Sequence, residues 1–370
     1  QYPYSMQMSA ALEHQFTSSW LLKVQYVGTR QVHTPYTVQP NGYQTLCAGC
    51  FSPWPYKTAP DARLGGVTQY LAGAGSNYNG LQVNTSKRLS HGLMFNLNYT
   101  YSHCLDEISN GGLFGFGGPS AILSPLPGEL NRQYGNCDYD VRHAFNGNYV
   151  YELPFHASSG WLNQIVGGWE VSGTVFLRGG FPFSPNSQKV GNYVLQGGGW
   201  NFANQIPGVN PYSQFQNISG VTQPGQVQWL NPAAFTSVID PSTTNCTAGE
   251  TFGGGNALSS NNNPQTCQYG SLGRNTLRAP HFRWSDFFLT KRFKLTEKVT
   301  LRVDGQFYNV FNHPNFTYPG VSVGVPGVPS TLTGLGTIGS EVTPPTGLLG
   351  SFLGGDNAVR MIALSGRIEF

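Results

Sequence analysis

Apolar and polar residues alternate along segments of about ten residues, which is typical of strands with two different faces. In residues 93–102 every second residue is apolar, and those between are mostly Asn, Thr and Ser. The segment from residue 299 repeats the rule. Its apolar set is Val299, Leu301, Val303, Phe307 and Phe311, and its polar set is Thr300, Arg302, Asp304, Gln306 and Tyr308. The alternation predicts strands with one apolar and one polar face.

The same pattern predicts nine strands, whereas helical periodicity is hard to find. Besides the two segments above, the predicted strands are 4–16, 20–30, 78–89, 141–153, 168–179, 282–293 and 358–370. The fold class predicted from the pattern is therefore all-β.

Connections between the predicted strands alternate in length. Tight links lie at 17–19, 90–92 and 295–298, a middling one at 154–167, and long ones at about 31–77, 103–140, 180–281 and 312–357. Transmembrane barrels have short periplasmic turns and long exterior loops, whereas loops this long are uncommon in a soluble sandwich. The lengths predict an antiparallel, up-and-down transmembrane barrel segment that ends on the periplasmic side.

Composition and charge narrow the function classes. Only 10% of residues are charged, against a usual share of about 25%. The net charge of +3 is small and scattered, which excludes a nucleic-acid footprint. A transmembrane helix is excluded by the mean hydropathy of −0.25 and the lack of a long apolar run, but transmembrane strands are not. The first residues resemble no signal peptide, so we expect a processed or cropped start.

Six cysteines lie in or beside the long loops as three local pairs, and their placement predicts disulfides in an oxidising compartment. The sequence alone leaves the connectivity open, and pairing within each loop is the simplest arrangement. The pairs are Cys47 with Cys50, Cys104 with Cys137, and Cys246 with Cys267. The alternative makes the Cys47 to Cys50 spacing a redox or zinc motif, but a second CxxC or a His pair is missing.

Acidic and histidine side chains gather around one predicted hairpin. If Cys104 bonds Cys137, the hairpin mouth collects His103, Asp106, Glu107, Asp138, Asp140 and His143. Carboxylates with imidazole can hold a divalent ion, but at strand ends such groups more often make local hydrogen bonds. We favour the second interpretation and expect no metal and no cofactor.

Catalytic motifs are weak. Residues 320–324 match the G-x-S-x-G pattern of a nucleophile elbow, but the prolines at 326 and 329 forbid the helix that must follow it. The glycine-rich stretch 111–118 lacks phosphate-loop spacing. A secreted hydrolase would need a convergent acid, base or nucleophile set that the sequence does not supply, so we expect no enzyme.

The two strand faces carry different candidate roles. Polar residues on the inward face could line a solute path or only solvate the lumen and pair across strands. These candidates are Asn96, Asn98, Glu170, Arg178, Arg302, Asp304 and Gln306. Outward aromatics fit the girdles found at lipid–water interfaces, although a soluble sandwich would bury them. They are Trp20, Tyr26, Tyr99, Tyr101, Tyr149, Tyr151 and Trp169.

Several stretches, taken in order, resemble the C-terminal barrel of TonB-dependent receptors. They are residues 78–83 (YNGLQV), 97–103 (LNYTYSH), 137–143 (CDYDVRH), 231–235 (NPAAF) and 307–316 (FYNVFNHPNF). The likeness is to the Oar-like group, which carries a carboxypeptidase-regulatory-like domain in front and is common in soil bacteria such as acidobacteria. Residues 364–370 are also similar to the closing strand of outer-membrane proteins, whose last aromatic residue, here Phe370, is read by the barrel assembly machinery. The glycine of this stretch lies one place from its usual position.

The resemblance implies a 22-stranded barrel, an inner plug and an N-terminal box that engages the TonB protein. The chain offers nine predicted strands and neither plug nor box. Because lipid does not tolerate bare sheet edges, we expect the C-terminal part of a longer receptor rather than a closed nine-stranded barrel. The implied function is binding and energy-coupled uptake of a scarce solute across the outer membrane of a Gram-negative bacterium.

A secreted all-β binding or adhesive protein, assembling into a surface layer or filament, is the alternative. It predicts that Phe95, Leu97 and Tyr99 meet Leu301, Val303 and Phe307 across a dry core, whereas the barrel predicts that both sets face lipid.

Overall fold

The structure is a computed structural model, and it describes most of the chain outside the longest connections. The described residues are 2–38, 40–41, 60–64, 67, 69–109, 130–190, 199–218, 224–236, 271–321, 323, 334–339 and 359–370.

Long antiparallel strands, each hydrogen-bonded to the next along the chain, form the main sheet of the described residues. They are β1 (Tyr4–Thr17), β2 (Trp20–Val38), β3 (Gln69–Ser90), β4 (Leu93–Asp106), β5 (His143–Glu152), β6 (Trp169–Arg178), β7 (Phe282–Lys294), β8 (Thr300–Tyr308) and β9 (Met361–Glu369). The short strand Gly135–Asn136 pairs with the end of β4. The sheet confirms the predicted all-β, antiparallel class.

The pairing register repeats the same alternation of the two faces from strand to strand. Asn96 on β4 lies opposite Asn148, which lies opposite Thr174, and Thr174 pairs with Asp286 on β7. Three residues along, Tyr99, Phe145 and Leu177 form an apolar row. Since side chains alternate across a sheet, the paired strands place most of their polar side chains on one side, the polar face, and most of their apolar side chains on the other, the outward face.

The described residues do not form the dry core between two sheets that the secreted alternative predicts. The sets around Phe95 and Leu301 lie on the same outward face of one sheet, so they do not meet across a core. Tyr99 and Val303 remain 36% and 38% exposed.

The strands β2 and β3 extend well into the predicted loop 31–77. Pairing continues to Val38 and Gln69, with register shifts between Gln31 and Thr34 and between Thr34 and Pro35. His33 also takes a positive φ of 59°. Bulges add residues to one strand and break the strict alternation, so the sequence pattern stops before the pairing does.

The sheet has two open edges in the described residues. The strand β1 pairs only with β2, and β9 pairs only with β8. Both edge strands are almost wholly exposed on both faces. A closed barrel is therefore not formed by the described part of the chain.

A short helix, α1 (Gly160–Val166), occupies the connection between β5 and β6 and was not predicted from the sequence. The indole nitrogen of Trp169 donates to the Ile165 carbonyl at 2.9 Å, and Trp161 is 71% exposed. No helix in the described ranges has the length and apolarity needed to cross a membrane.

Described parts of the two longest connections fold together into a unit that we call the loop cap. It comprises the described residues of 181–236, 271–281, 315–323 and 334–339. Its buried core contains Phe183, Ala203, Leu230, Ala234, Phe235, Leu272, Leu277, Ala279, Val323 and Leu335. Its short strands are Pro182–Phe183, Asn186–Val190, Gly199–Phe202, Asn204–Gln205, Val227–Gln228, Phe235–Thr236, Leu277–Arg278 and Thr337–Ile338, with 3-10 turns at Pro232–Ala234 and, near β4, Leu130–Gln133.

Candidate functional site

Two ion pairs lie at the turn end of the polar face, one between neighbouring strands and one within β8. Arg292 on β7 donates to the Glu170 carboxylate at 2.8 Å, and Nε of Arg302 donates to Asp304 at 2.8 Å. The Thr290 hydroxyl donates to the same Asp304 oxygen at 2.6 Å. Register places Arg367 of β9 beside Arg302 and Glu152 beside Glu170, so this end of the face carries both guanidinium groups and carboxylates.

Asparagine amides form a neutral ladder on the same face, nearer β3. The Asn98 amide donates to the Asn146 oxygen at 3.0 Å, and Asn84 donates to the oxygens of both Asn96 and Asn98. Each amide carries two donors and an acceptor, so the ladder can hydrogen-bond a polar solute while its members hold one another in place.

The remaining candidates for the lumen lie on the same face. The Tyr308 hydroxyl donates to Gln306 at 2.9 Å. The Arg178 guanidinium lies 4.1 Å from the ring centre of Phe181 and 5.2 Å from that of Phe282, beneath the loop cap. The structure thus brings Asn96, Asn98, Glu170, Arg178, Arg302, Asp304 and Gln306 to one face of the sheet, and their contact with a solute stays a prediction.

A buried arginine fastens the loop cap to the sheet. The Arg274 side chain is fully buried and donates to Asp106 at 2.5 Å and to Asp138 at 3.2 Å. The Ser109 hydroxyl accepts from Arg274 at 2.6 Å and donates to Asp106 at 2.7 Å. Since a buried charge is costly without partners, this network holds the segment around Arg274 against the end of β4.

Two neighbouring cap residues extend this attachment. The Asn275 amide donates to the Asn136 carbonyl and to Asp138, both at 2.7 Å. Arg278 forms an ion pair with Asp140 and donates to the Asp140 carbonyl at 2.9 Å. The backbone nitrogen of Arg278 also donates to the hydroxyl of Tyr212, whose pKa is raised by burial.

The disulfide between Cys104 and Cys137 forms as the local pairing predicts, with the two Cα atoms 5.4 Å apart. Asp138 and Asp140 lie one and three residues after Cys137, and the Cys104 nitrogen donates to Asp140 at 2.7 Å. The bridge therefore positions the carboxylates that receive Arg274 and Arg278. Cys47, Cys50, Cys246 and Cys267 lie outside the described residues.

The predicted cluster at the hairpin mouth forms arginine contacts instead of a ligand sphere. Asp106 and Asp138 contact Arg274, and Asp140 contacts Arg278 and Arg142. His103 contacts Asn136 and Arg142, Glu107 accepts from the Gly75 nitrogen, and His143 contacts Tyr99 on the outward face. Across the described ranges, no group of three or more His, Cys, Asp or Glu converges as metal ligands.

The residues that hold the loop cap against the sheet were not predicted from the sequence. Arg274, Asn275 and Arg278 lie in a non-periodic connection, where alternation carries no information. The local signal was two arginines beside Leu272 and Leu277 in an otherwise Gly- and Asn-rich stretch. Within the motifs judged weak, Ser322, Gly324 and residues 111–118 lie outside the described part of the chain.

Comparisons with solved structures give low similarity to outer-membrane transporters. The outer membrane transporter YddB from Escherichia coli has 9% identity and a TM-score of 0.40 over 99% of this chain and 32% of that one. The FrpB iron transporter from Neisseria meningitidis has 11% identity and a TM-score of 0.32 over 99% and 31%. A ferric enterobactin receptor mutant from Pseudomonas aeruginosa has 11% identity and a TM-score of 0.27 over 82% and 37%. The chain spans about a third of the length of these structures.

The family comparison covers most of the sequence. No curated protein matches the chain. Residues 1–346, in contrast, match the family model described as outer membrane beta barrel domain. This match agrees with the antiparallel sheet and its two contrasting faces, and it supports an outer-membrane location. The chain belongs to the outer membrane beta barrel domain family.

Proposed function

We propose that this chain forms part of the wall and exterior mouth of a TonB-dependent transporter, which binds a scarce solute and takes it up with energy coupling. The observation that carries the proposal is the loop cap, which folds around its own core and is fastened by Arg274 at the end of the polar face. A binding surface at the mouth works best when rigid elements hold it in place.

The polar face supports passage of a hydrophilic solute. Its amide ladder and its arginines offer hydrogen bonds along the sheet from the cap to the turn end. Iron chelates, oligosaccharides and peptides all suit such groups, so the solute class is left to experiment. We also propose a binding role without catalysis, because the histidines at the hairpin mouth are engaged with Asn136, Arg142 and Tyr99.

The open edges of the sheet support the proposal that further strands pair with β1 and β9. Unpaired backbone groups of β1 and β9 would each cost several kcal/mol in hydrocarbon. We propose that further strands and a plug of the same receptor complete the barrel and connect it to TonB, and that the assembly machinery reads the fully exposed Phe370. The resemblance to the Oar-like group belongs to this proposal.

An uptake assay in cells tests energy coupling. Cells with and without the native gene are given a labelled ferric chelate, oligosaccharide or peptide, with and without a protonophore. The proposal predicts that one class accumulates only when both the gene and the proton-motive force are present. Accumulation that needs the gene but ignores the protonophore would indicate a passive pore, and no gene-dependent accumulation of any class would also contradict the proposal.

The size of the protein in the same cells tests whether further strands of the same receptor complete the barrel. The proposal predicts an outer-membrane band far larger than the 40.2 kDa of this chain. A 40.2 kDa species in the medium would contradict it and favour the secreted alternative.

A further inference from the structure

Two clefts lie side by side on the outward face, at the end of the sheet that carries the loop cap. Register aligns Tyr99, Phe145, Leu177 and Arg283 across β4, β5, β6 and β7. Because Tyr99 and Leu177 belong to the apolar set, this row faces the membrane side rather than the polar face. The row lies at the strand ends, where the lipid–water interface is expected.

The first cleft, which we call the rim cleft, has a volume of about 480 Å³ and concentrates basic groups. His143, His281 and Arg283 line it together with Tyr99, Arg178 of the polar face also borders it, and no Asp or Glu is among its lining residues. The Tyr99 hydroxyl is hydrogen-bonded to Nδ1 of His143 at 2.8 Å, which fixes that ring at the edge of the cleft. The lining is therefore suited to an anion.

Positive charge in the rim cleft is not neutralised by the neighbouring carboxylates. Arg142 and Arg278 both contact Asp140, but within the described residues no ion pair involves Arg283. Burial lowers the pKa of His281, and the neighbouring basic side chains of Arg283, His143 and Arg278 lower it further. An anion bound here would relieve this repulsion.

The second cleft, the apolar cleft, adjoins the first and shares Leu177 and Arg283 with it. It has a volume of about 360 Å³ and is lined also by Val175, Trp284, Ser285, Asn309, Phe311 and His313. Val175 and Ser285 lie one outward-facing position farther from the loop cap, toward the middle of the sheet. Phe311 is 79% exposed, so the cleft continues the apolar surface that the family places in the membrane.

We propose that the two clefts together bind one phosphorylated lipid of the exterior leaflet. Its phosphate contacts Arg283, His281 and His143 in the rim cleft, and an acyl chain lies along Val175, Leu177 and Phe311. A free phosphate would explain only the basic cleft, whereas a lipid explains why an apolar cleft shares Leu177 and Arg283 with it. The proposal depends on the outer-membrane location and is independent of TonB-coupled uptake.

Lipid retention by the native protein tests the proposal. The protein, extracted from outer membranes in neutral detergent, is titrated with lipid A, with dephosphorylated lipid A and with inorganic phosphate, and bound molecules are counted by native mass spectrometry. We expect lipid A to bind, dephosphorylated lipid A to bind at least about ten-fold more weakly, and inorganic phosphate to compete poorly. A ten-fold change corresponds to about 1.4 kcal/mol.

Matched variants separate this site from a general attraction between charges. Arg283→Gln is expected to weaken lipid A binding about ten-fold, and Arg283→Lys to restore most of it. Arg30 faces outward on β2 and is absent from both clefts, so Arg30→Gln removes the same charge and is expected to leave binding within about two-fold.

A separate variant tests the apolar cleft. Val175→Asn is expected to weaken lipid A without changing the weak competition by phosphate, since only the acyl chain contacts that position. Equal losses in Arg283→Gln and Arg30→Gln, or equal binding of dephosphorylated lipid A, would overturn the proposal. Tight binding of inorganic phosphate alone would also overturn it, because the site would then be a free-anion site. Unchanged heat-modified gel mobility of each variant shows that the barrel is folded, and Arg283→Lys tests the charge if Arg283→Gln does not fold.

Discussion

The sheet and the loop cap are stabilised in different ways. Along the sheet, backbone ladders join each strand to the next, and most side chains on both faces stay partly exposed. The loop cap instead encloses fully buried side chains such as Phe183, Leu230 and Arg274. The sheet leaves its apolar face uncovered by the described residues, while the cap buries a core of its own.

This difference decides how each region responds to substitution. A change on the sheet matters according to which face it alters, because one face meets lipid and the other is polar. A change in the cap matters according to how deeply the side chain is buried and which partners it leaves behind.

Replacing Arg274 by Met is expected to have the largest effect. It leaves Asp106 and Asp138 buried without their cation, which costs about 3–5 kcal/mol. Hydrogen exchange is expected to accelerate across 271–281 and 199–218 while the sheet ladders stay protected. The control is Arg63→Met, which removes an exposed ion pair with Asp61 and is expected to cost less than about 1 kcal/mol. Equal exchange in the two variants would mean that Arg274 does not fasten the cap.

Replacing Leu230 by Ala is expected to destabilise the cap by about 3 kcal/mol, since this side chain is fully buried in the cap core. Leu12→Ala on β1 is the matched change on the sheet, where Leu12 is 80% exposed, and a far smaller effect is expected. Limited proteolysis of the folded protein in detergent measures both. Faster cleavage of the cap in Leu12→Ala than in Leu230→Ala would contradict the comparison.

An arginine at Val303 tests the two faces of the sheet directly. Val303→Arg places a charge on the outward face and is expected to cost about 2 kcal/mol in vesicles. Gln306→Arg lies on the polar face of the same strand and is expected to change the free energy of unfolding by less than about 0.5 kcal/mol. Urea titration of both variants in vesicles measures the difference, and a reversed order would mean that the faces are assigned the wrong way round.

Replacing Asn98 by Ala is expected to have the smallest effect, about 1 kcal/mol, because it removes hydrogen bonds of the amide ladder from a solvated face. Thermal unfolding in detergent measures the change. A loss of stability larger than that of Leu230→Ala would show that side chains on the polar face contribute as much stability as those of a buried core.

The sheet was predictable because alternation is a local signal that register then repeats from strand to strand. Residues 93–102 and 299–308 show it plainly, and both became strands. Alternation did not predict the strand at His33 and Pro35, where bulges interrupt the two-residue period although the strand pairing continues. The local disulfide of Cys104 with Cys137 was also predictable, because the two cysteines flank one connection.

The loop cap could not be predicted, because its contacts join residues far apart in sequence without a period. Arg274 reaches Asp106 across 168 positions, and Trp229 donates to the Arg278 carbonyl across 49. The acidic residues near Cys137 were singled out as possible metal ligands, yet the side chains that bind them come from a Gly- and Asn-rich loop. Only the folded cap shows that these carboxylates receive arginines.

Photo-crosslinking along β8 can show whether one face of this sheet meets lipid and the other does not. A benzophenone amino acid is placed in turn at Leu301, Arg302, Val303 and Gln306 of the native protein, and illuminated outer membranes are examined for lipid adducts. We expect adducts at Leu301 and Val303 and none at Arg302 and Gln306, following the alternation of the strand. Adducts at all four positions, or only at Arg302 and Gln306, would contradict this expectation.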